Sequence, residues 1–464
     1  MPRRGNGHRA GWLKEIPNMF TAFRRWVLPL LLVLASAACG AVKPNGLFCD
    51  GAVLQQGREI PVWGTADNGE QITVTFRGAS ASTTAADGKW LVKLPAQTAG
   101  GPDELTIAGS ETIVIKDVLV GEVWVCSGQS NMAFTMAGVL NAEQELAASA
   151  DPLLRHLKVP YATADEPQTE LPGAVKWERA SPEATPRFTA AGYYFARKLR
   201  AELGVPVGLI NNAVGGTACA AWTRLGALQA VPELGHYLDE YKVAVEALPK
   251  QLERQPELLA AWKEKVKAWQ QERAAALQAG QPFNKPAPRQ PQPPGKNRPS
   301  GLYNALTAPL IPYAIAGTIW YQGENDTREI GIAHEYRVLF PTMINDWRQQ
   351  WGQGDFPFLF VQLAPYGAKG RNVDSWPMVR ESMLVTTQTV PGTGMAVITD
   401  AGDAGNIHPT KKQPAGERLA LEALRIAYGR DLVSHGPVYR SMVVEGSKMH
   451  LSFDSIGGGL VAQD

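Results

Sequence analysis

The sequence predicts an α/β fold built on a parallel sheet and preceded by a β-sandwich. Short alternating segments separated by turn residues fill residues 41–117, which is typical of a sandwich. From residue 118 onward, buried strands alternate with amphipathic helices, a pattern that favours right-handed crossovers and a parallel sheet. At 464 residues the chain is too long for one ordinary core, so we expect more than one domain.

Residues 118–430 are expected to form the domain that contains the parallel sheet. Its predicted strands lie at 118–125, 205–210, 314–321, 356–363 and 394–399, and its predicted helices lie at 188–203, 335–351, 379–389 and 413–428. An insertion at 226–300 interrupts this pattern. Apolar residues recur at helical spacing between Leu258 and Trp269, which predicts a protruding helical hairpin, and the Pro-rich residues 281–300 predict an extended loop. Residues 431–464 are expected to begin a truncated C-terminal β region.

The first 40 residues are predicted to be a signal peptide. Two arginines precede the apolar run 26–34, which is too short to span a bilayer, and small residues follow as far as Cys39. Met19 is an alternative start. We therefore expect a secreted or periplasmic protein without a transmembrane segment after cleavage. The Ser-Ala-Ala sequence before Cys39 resembles a bacterial lipoprotein site, so a lipid anchor at Cys39 is the alternative to release.

Composition narrows the function classes. A formal net charge of +1 predicts no general affinity for nucleic acid or anionic membranes. The sequence has no phosphate-binding loop, dinucleotide fingerprint or metal-ligand pattern, so we expect no cofactor and no metal. Cys49, Cys126 and Cys219 favour buried packing over a disulfide framework, with a pair between the last two as the alternative.

A candidate nucleophile follows the strand at 118–125. Ser130 lies on the turn 126–132, where its hydroxyl would be exposed above the sheet and next to a helix N-terminus. Ester hydrolysis by a serine needs such a nucleophile, a base, and donors for the tetrahedral oxyanion. A Ser/Asn-rich turn without chemistry is the alternative interpretation.

His408 is the best candidate for the base. It lies in a Gly/Asp-rich loop between a buried strand and the last predicted helix. Asp400 and Asp403 precede it, and either carboxylate could orient the imidazole by accepting its Nδ1 proton. A loop histidine that caps the helix is the alternative.

Two further strand ends offer donors for an oxyanion. Residues 211–217 follow one strand, and their glycines allow backbone N–H groups to approach without a Cβ in the way. Residues 320–326 follow the next strand and offer the side-chain amides of Gln322 and Asn325. Glu324 in the same segment is either a functional acid or a buried structural carboxylate.

The order of these blocks resembles the sialate O-acetylesterase family, a group of SGNH/GDSL-type serine hydrolases. The blocks are Cys126-Ser-Gly-Gln-Ser-Asn-Met132, Val214-Gly-Gly-Thr217, Trp320-Tyr-Gln-Gly-Glu324 and Ile407-His-Pro409. The resemblance extends over about residues 45–225 and 300–460. It implies a flavodoxin-like parallel sheet and hydrolysis of O-acetyl groups on sugars, classically 9-O-acetyl sialic acid.

The resemblance also implies roles for individual residues. Ser130 becomes the nucleophile and His408 the base. The implied oxyanion donors are Ser130, Gly215, Gly216, Gln322 and Asn325. The implied substrate contacts are Gln129, Asn131 and Glu324. Related hydrolases often carry Asp three residues before the catalytic His, where this chain has Gly405. The acid is therefore Asp403 or Asp400, or a Ser–His dyad suffices.

Two other functions fit the same residues. One is an acetyl-xylan or other polysaccharide O-acetylesterase, because the motifs specify the reaction more closely than the sugar. The other is a non-catalytic carbohydrate-binding protein on a hydrolase fold. In each case the expected partner is an acetylated carbohydrate and not a nucleic acid.

Overall fold

The computed structural model describes residues 41–461, except 284, 286 and 368–373. The predicted signal peptide and Cys39 lie outside the described residues. The strands are β1 Lys43–Pro44, β2 Val53–Gln55, β3 Ile60–Thr65, β4 Gln71–Phe76, β5 Ala79–Thr84, β6 Lys89–Leu94, β7 Gly100–Ala108, β8 Thr112–Gly128, β9 Asp151–Lys158, β10 Trp177–Ala180, β11 Val207–Asn211, β12 Gly317–Tyr321, β13 Phe358–Val361, β14 Thr393–Ala396, β15 Val438–Glu445 and β16 Lys448–Asp454. The α-helices are α1 Ser130–Ala133, α2 Ala142–Ala147, α3 Ala190–Leu203, α4 Leu225–Gln229, α5 Tyr237–Gln278, α6 Ile330–Trp351, α7 Ser375–Thr389 and α8 Gln413–Ile426.

The strands before residue 112 pair mostly in antiparallel fashion. One sheet has the order β1-β3-β6, while β4 pairs with both β5 and β7. In β4 and β6 buried side chains alternate with more exposed ones, as a strand with one face on a core requires. The strand β5 consists of small and polar residues, which explains why its sequence did not predict it.

The long strand β8 belongs to both halves of the fold. Its first half, from Thr112 to Val120, pairs antiparallel with β7. Its second half, from Glu122 to Gly128, pairs in parallel with β11 on one side and β12 on the other. The result is a large mixed sheet in an α/β protein, because β2, β4, β5 and β7 join the parallel strands through β8.

The parallel part of this sheet has the order β9-β11-β8-β12-β13-β14, and β10 adds an antiparallel edge. Numbered along the chain without β9, the five strands β11-β8-β12-β13-β14 read 2-1-3-4-5. The order reverses at β8, because the second strand, β11, lies on one side of it and the third strand, β12, lies on the other. In open α/β sheets a ligand crevice forms at the carboxyl ends of strands at such a switch point.

Alternate side chains of the parallel strands face two different cores. Trp124 of β8 and Leu359 of β13 pack in the core that contains α3 and α8. Val125 of β8, together with Phe358 and Phe360 of β13, packs in the core that contains α6 and α7. Burial on both faces explains why these strands read as nearly continuous apolar runs.

The insertion does not form the helical hairpin that its sequence predicts. A single helix, α5, spans 42 residues, and the Pro-rich segment after it runs back along it in extended form. Trp262 and Trp269 donate their indole N–H groups to the carbonyls of Pro288 (3.0 Å) and Lys285 (2.8 Å). The apolar stripe of α5 therefore contacts an extended chain rather than a second helix.

The C-terminal region of the described chain is the two-stranded hairpin β15-β16. Cys49, Cys126 and Cys219 are free thiols, and the last two are buried, as predicted for packing residues. The described residues from 41 onward belong to one compact unit. None of the helices in the described ranges combines the length and apolarity that crossing a membrane requires.

Candidate active site

The candidate site lies where the carboxyl ends of β8, β11 and β12 meet. The amide of Val214 donates to the carbonyl of Gly128 (3.0 Å), and the amide of Gln129 donates to the carbonyl of Tyr321 (2.9 Å). Gly128 has φ +122°, and a Cβ at this position would lie 2.4 Å from the Tyr321 carbonyl oxygen. Only glycine permits this close approach, which brings the three strand ends together.

Ser130 and His408 are joined by a hydrogen bond. Ser130 is the first residue of α1, directly after β8, and His408 lies in the loop between β14 and α8. The Ser130 Oγ and His408 Nε2 atoms are 2.8 Å apart, although 278 residues separate them in the chain. Both side chains are half-buried. This is the geometry of a nucleophile and its base.

Two hydrogen bonds between side chains and the backbone hold the His408 loop. The Asn131 side chain donates to the carbonyl of Ile407 (3.0 Å), and the His408 amide donates to Oδ1 of Asn406 (3.0 Å). Asn131 directly follows Ser130, so the same short helix carries the candidate nucleophile and a support for the base.

Neither predicted acid is brought to the His408 ring. Asp400 forms a bidentate pair with Arg418 at 2.6 and 2.7 Å, and its side chain is 60% exposed. This pair lowers the pKa of Asp400 to about 2. Asp403 is exposed and accepts a hydrogen bond from the amide of Gly405 (2.8 Å). The expectation that one of them orients the imidazole is therefore not met by this arrangement.

The glycine loop after β11 lies against Ser130. A Cβ on Gly215 would lie 3.4 Å from Cβ of Ser130, and Gly216 has φ +67°, in the left-handed region that favours glycine. The Asn297 side chain accepts a hydrogen bond from the amide of Ala218 (2.9 Å) and holds this loop from outside. The glycine loop is therefore held in contact with the backbone and Cβ of Ser130.

The side chain of Gln322, a predicted oxyanion donor, is buried and makes internal hydrogen bonds. It is 0% exposed, and its amide group donates to the carbonyl of Thr217 (2.9 Å) and to the carboxylate of Asp326. Its Oε1 accepts from the hydroxyl of Tyr336 (3.1 Å). A primary amide has two N–H hydrogens, and both are used. Asn325 is half-buried, and its side chain donates to Asn297 at 3.4 Å.

The three predicted substrate contacts are also buried. Gln129 is 2% exposed and accepts from the amide of Asn325 (3.3 Å). Asn131 and Glu324 are 1% and 3% exposed, and the Asn131 side chain donates to Glu324. Their contacts in this structure are internal, and a role for them in binding substrate stays a prediction. The burial of Glu324 is compatible with the alternative of a structural carboxylate.

A buried lysine that the sequence did not suggest completes this network. Lys412 is 1% exposed, donates to Oδ1 of Asn131, and lies over the rings of Phe134 (4.8 Å) and Tyr321 (5.3 Å). Burial lowers its pKa to about 7, while the charge of Glu324 opposes that shift. Lys412, Asn131 and Glu324 thus form a buried charged network directly beneath the site.

This network affects the candidate base. Burial lowers the pKa of His408 below its ordinary value, and the Lys412 ammonium lowers it further. A lowered pKa keeps the imidazole neutral to lower pH, which is the form that can accept a proton from Ser130.

Two cavities lie near the parallel sheet. One, of about 350 Å³, is bordered by the returning Pro-rich segment and by Gly215, which packs near Ser130, although Ser130 and His408 do not themselves line it. A larger one, of about 1160 Å³, lies beside β14 and the C-terminal hairpin, and neither Ser130 nor His408 lines it. Within the described residues, no group of three or more His, Cys, Asp or Glu side chains is arranged to hold a metal ion.

Comparison with known proteins identifies the family. The family described as "Carbohydrate esterase, sialic acid-specific acetylesterase" matches residues 120–272 and 301–425. The sialate O-acetylesterase of Rattus norvegicus is 30% identical over 474 residues, covering 92% of this chain and 82% of the relative. The chain belongs to this esterase family. The human sialate O-acetylesterase is 28% identical to this chain, and the match covers 89% of this chain and 76% of the human protein.

A solved structure supports the same assignment. A carbohydrate acetylesterase from Xanthomonas citri has a TM-score of 0.71 and 36% sequence identity to this chain, and the match covers 89% of this chain and 81% of the other. The resemblance drawn from the sequence blocks is therefore confirmed, and the chain is a carboxylic ester hydrolase of the sialic acid-specific acetylesterase family.

Proposed function

We propose that this member of the acetylesterase family removes O-acetyl groups from sugars, with acetylated sialic acids as the substrate class. We further propose that Ser130 is the nucleophile and His408 the general base. The observation that carries this proposal is the 2.8 Å contact between Ser130 Oγ and His408 Nε2 at the switch point of the sheet.

The proposed reaction proceeds through an acetyl-enzyme. His408 accepts the hydroxyl proton of Ser130 as Oγ attacks the acetyl carbonyl carbon. The tetrahedral intermediate then collapses, and His408 gives the proton to the departing sugar oxygen. In the second half, His408 takes a proton from water, the hydroxide attacks the acetyl carbon, and acetate leaves as Ser130 regains its proton.

Backbone amides are the proposed oxyanion donors. Gly215 and Gly216 support this because their loop packs against Ser130, and the amide of Ser130 itself lies at the start of α1. Asn325 is the proposed side-chain donor, because it is half-buried at the same strand end as Gln322. Removing one oxyanion donor typically costs an enzyme about 10²–10³ in turnover.

We propose that Ser130 and His408 act as a dyad. The engagement of Asp400 with Arg418 and the exposure of Asp403 support this. The backbone supports from Asn131 and Asn406 would then fix the His408 loop in place of a carboxylate on the ring.

The finer architecture and setting are also proposals. We propose a flavodoxin-like SGNH domain at 118–430 that carries the insertion 226–300, follows a β-sandwich at 41–117 and precedes the β region at 431–464. The 2-1-3-4-5 strand order and the antiparallel pairings before residue 112 support it. From the sequence we propose a signal peptide at 1–40 and a secreted or periplasmic protein, with a lipid anchor at Cys39 as the variant form.

A second candidate substrate is a neutral acetylated polysaccharide such as xylan. The Xanthomonas citri relative, named only as a carbohydrate acetylesterase, supports it because its identity to this chain is 36%. A non-catalytic carbohydrate-binding role is disfavoured by the intact contact between Ser130 and His408.

Covalent labelling and acetate release test the proposed function together. The protein should react with a fluorophosphonate at Ser130 and should release acetate from acetylated sialosides. Ser130→Ala should remain folded, should not be labelled, and should lose at least about 10³-fold in turnover of 4-nitrophenyl acetate. Wild-type turnover by Ser130→Ala would refute the nucleophile assignment, and a preference for acetylated xylan over sialosides would favour the second candidate.

A further inference from the structure

The cavity beside Ser130 is formed by parts of the chain that are distant in sequence. Its lining comes from the end of β9, the glycine loop after β11, and the Pro-rich segment that returns along α5. Gly215 lines it, and a Cβ on Gly215 would lie 3.4 Å from Cβ of Ser130. Ser130 itself does not line the cavity, but its neighbour Gly215 does, so the body of a sugar held with its acetyl group at Ser130 is within reach of this cavity, whose 350 Å³ is typical of small-ligand sites.

Two lysines bring positive charge to this cavity. Lys158 donates to the carbonyl of Ala213 (2.7 Å) and to Oδ1 of Asn211 (3.3 Å). Lys296 is 7% exposed, and its Nζ would lie 2.8 Å from a Cβ on Gly216. An ammonium carries three N–H donors, and the contacts of Lys158 use two of them.

The charge of these lysines is not balanced by the lining. The described residues that line the cavity include no carboxylate. By contrast, the buried guanidinium groups of Arg155 and Arg298 each pair with a carboxylate, that of Asp117 (2.8 Å) and that of Asp165 (2.6 Å). Lys158 is solvent-exposed, whereas Lys296 is buried and its ammonium donates to the neutral Oε1 of Gln292. Burial of a cation without a compensating anion is costly, and burial lowers the pKa of Lys296.

The insertion is what delivers Lys296 to the site. Trp262 and Trp269 on α5 hold the returning segment, and Gln251 accepts a hydrogen bond from the amide of Gly295 (3.0 Å), next to Lys296. Tyr161, which also lines the cavity, donates its hydroxyl to the carbonyl of Pro294 (2.9 Å). The segment is therefore anchored on both sides of the cavity.

We propose that Lys158 and Lys296 bind the carboxylate of the sugar, so that the cavity selects acetylated sugar acids over neutral acetylated sugars. The proposal rests on the proposed function, because it assumes that the acetyl group is presented to Ser130. It makes the insertion a specificity element: α5 and the returning segment supply one of the two cations. Sialic acids carry a carboxylate, whereas the xylose units of xylan do not.

Binding can be measured separately from turnover. N-acetylneuraminic acid and its methyl ester would be titrated calorimetrically into Ser130→Ala protein; the ester replaces the charged carboxylate by a neutral group and keeps the rest of the sugar. We expect the free acid to bind at least about tenfold more tightly than the ester, a difference of about 1.4 kcal/mol. Lys158→Met and Lys296→Met should each reduce this preference severalfold. Arg289→Met, which removes an exposed charge from the same segment, should leave it unchanged.

Equal affinity for acid and ester, no binding of the acid, or an unchanged preference in both lysine variants would overturn the proposal. Thermal melting of each variant confirms that it is folded, and the acid-to-ester ratio cancels any general loss of affinity. Failure of the proposed function is a separate result. It would be seen as no release of acetate from any substrate, whether or not the protein binds the free acid more tightly than the ester.

Discussion

Replacing Lys412 by methionine should move the pH dependence of this esterase to higher pH. The Lys412 ammonium lowers the pKa of His408, and the unprotonated imidazole is the form that accepts the Ser130 proton. Without the ammonium the imidazolium is less disfavoured, so the pKa of His408 rises. The negative charge of Glu324, which Lys412 offsets, then acts in the same direction.

The size of the shift follows from the geometry. Lys412 donates to Asn131, and Ser130, the residue before Asn131, is hydrogen-bonded to His408. The Lys412 ammonium and a His408 imidazolium are therefore linked through two adjacent residues of α1. Two unit charges about 8 Å apart interact by about 2 kcal/mol at an effective dielectric of about 20, or roughly 1.5 pKa units. Partial solvent access at the half-exposed His408 reduces this, so we expect a rise of about one unit.

The assay is the acid limb of kcat/KM for acetate release, which reports the pKa of the base in the free enzyme. Lys412 has a pKa of about 7, so it is largely charged over the acidic range where this limb lies. Lys411→Met is the matched control, because it removes an exposed charge one residue away and exposed charges are screened. Lys412→Arg keeps the charge and should restore most of the wild-type profile.

An acid limb that does not move in Lys412→Met, or one that moves to lower pH, would refute this reasoning. A fall in kcat at the pH optimum with an unchanged limb would show that Lys412 acts only through packing. Thermal melting of the variant separates either result from unfolding.

Three further predictions concern the acids and amides around the site. Gln322→Leu should lower the free energy of unfolding by about 1–3 kcal/mol, because Asp326 and the Thr217 carbonyl lose a buried donor; chemical denaturation measures this, and an unchanged midpoint would contradict it. Asp400→Asn should change kcat/KM by less than about threefold, since its partner is Arg418; a loss of about 10⁴-fold, as expected for a triad acid, would refute the dyad. Burial raises the pKa of Asp326 from its usual value of 3.8 to about 6. Between these two pH values the folded protein binds more protons than the unfolded chain. The stability contributed by Asp326 is therefore lost as the pH rises through that window. Asp326→Asn should flatten this dependence when unfolding is measured at pH 4.5 and 6.5, and an equally steep slope in the variant would argue against it.

The sequence predicted which strand ends meet, because buried parallel strands and their polar ends leave a clear pattern. Ser130, the glycine loop and His408 each follow such a strand, and the structure brings Ser130 and His408 within hydrogen-bond distance. It did not predict which polar side chains point inward. Gln322 carries the same amide as a substrate-binding residue would, and only the positions of Thr217 and Asp326 determine that its hydrogen bonds are internal.

Buried charges were the main omission. The strand β9, which the sequence did not predict, carries the buried side chain of Arg155, which pairs with Asp117 at 2.8 Å. Lys412 precedes a helix, where a lysine is normally solvated. In each case the partner lies far away in the sequence, so local pattern carries no signal of burial.

The insertion was misjudged for a related reason. An apolar stripe on a helix predicts that something covers it, and a second helix is the common solution. Here the covering segment is Pro-rich, and its free carbonyls accept the indole N–H groups of Trp262 and Trp269. An extended proline-rich chain has few amide donors of its own but retains every acceptor.

The shared strand β8 has a consequence for how this protein unfolds. Its 17 residues pair with β7 at one end and with β11 and β12 at the other. If β8 came away from its partners in one half of the fold, backbone groups in the other half would also lose their hydrogen-bond partners. The N-terminal strands are therefore not a detachable module. Heating should melt both regions in a single cooperative transition, and a chain that starts at residue 118 should fail to accumulate as a folded protein.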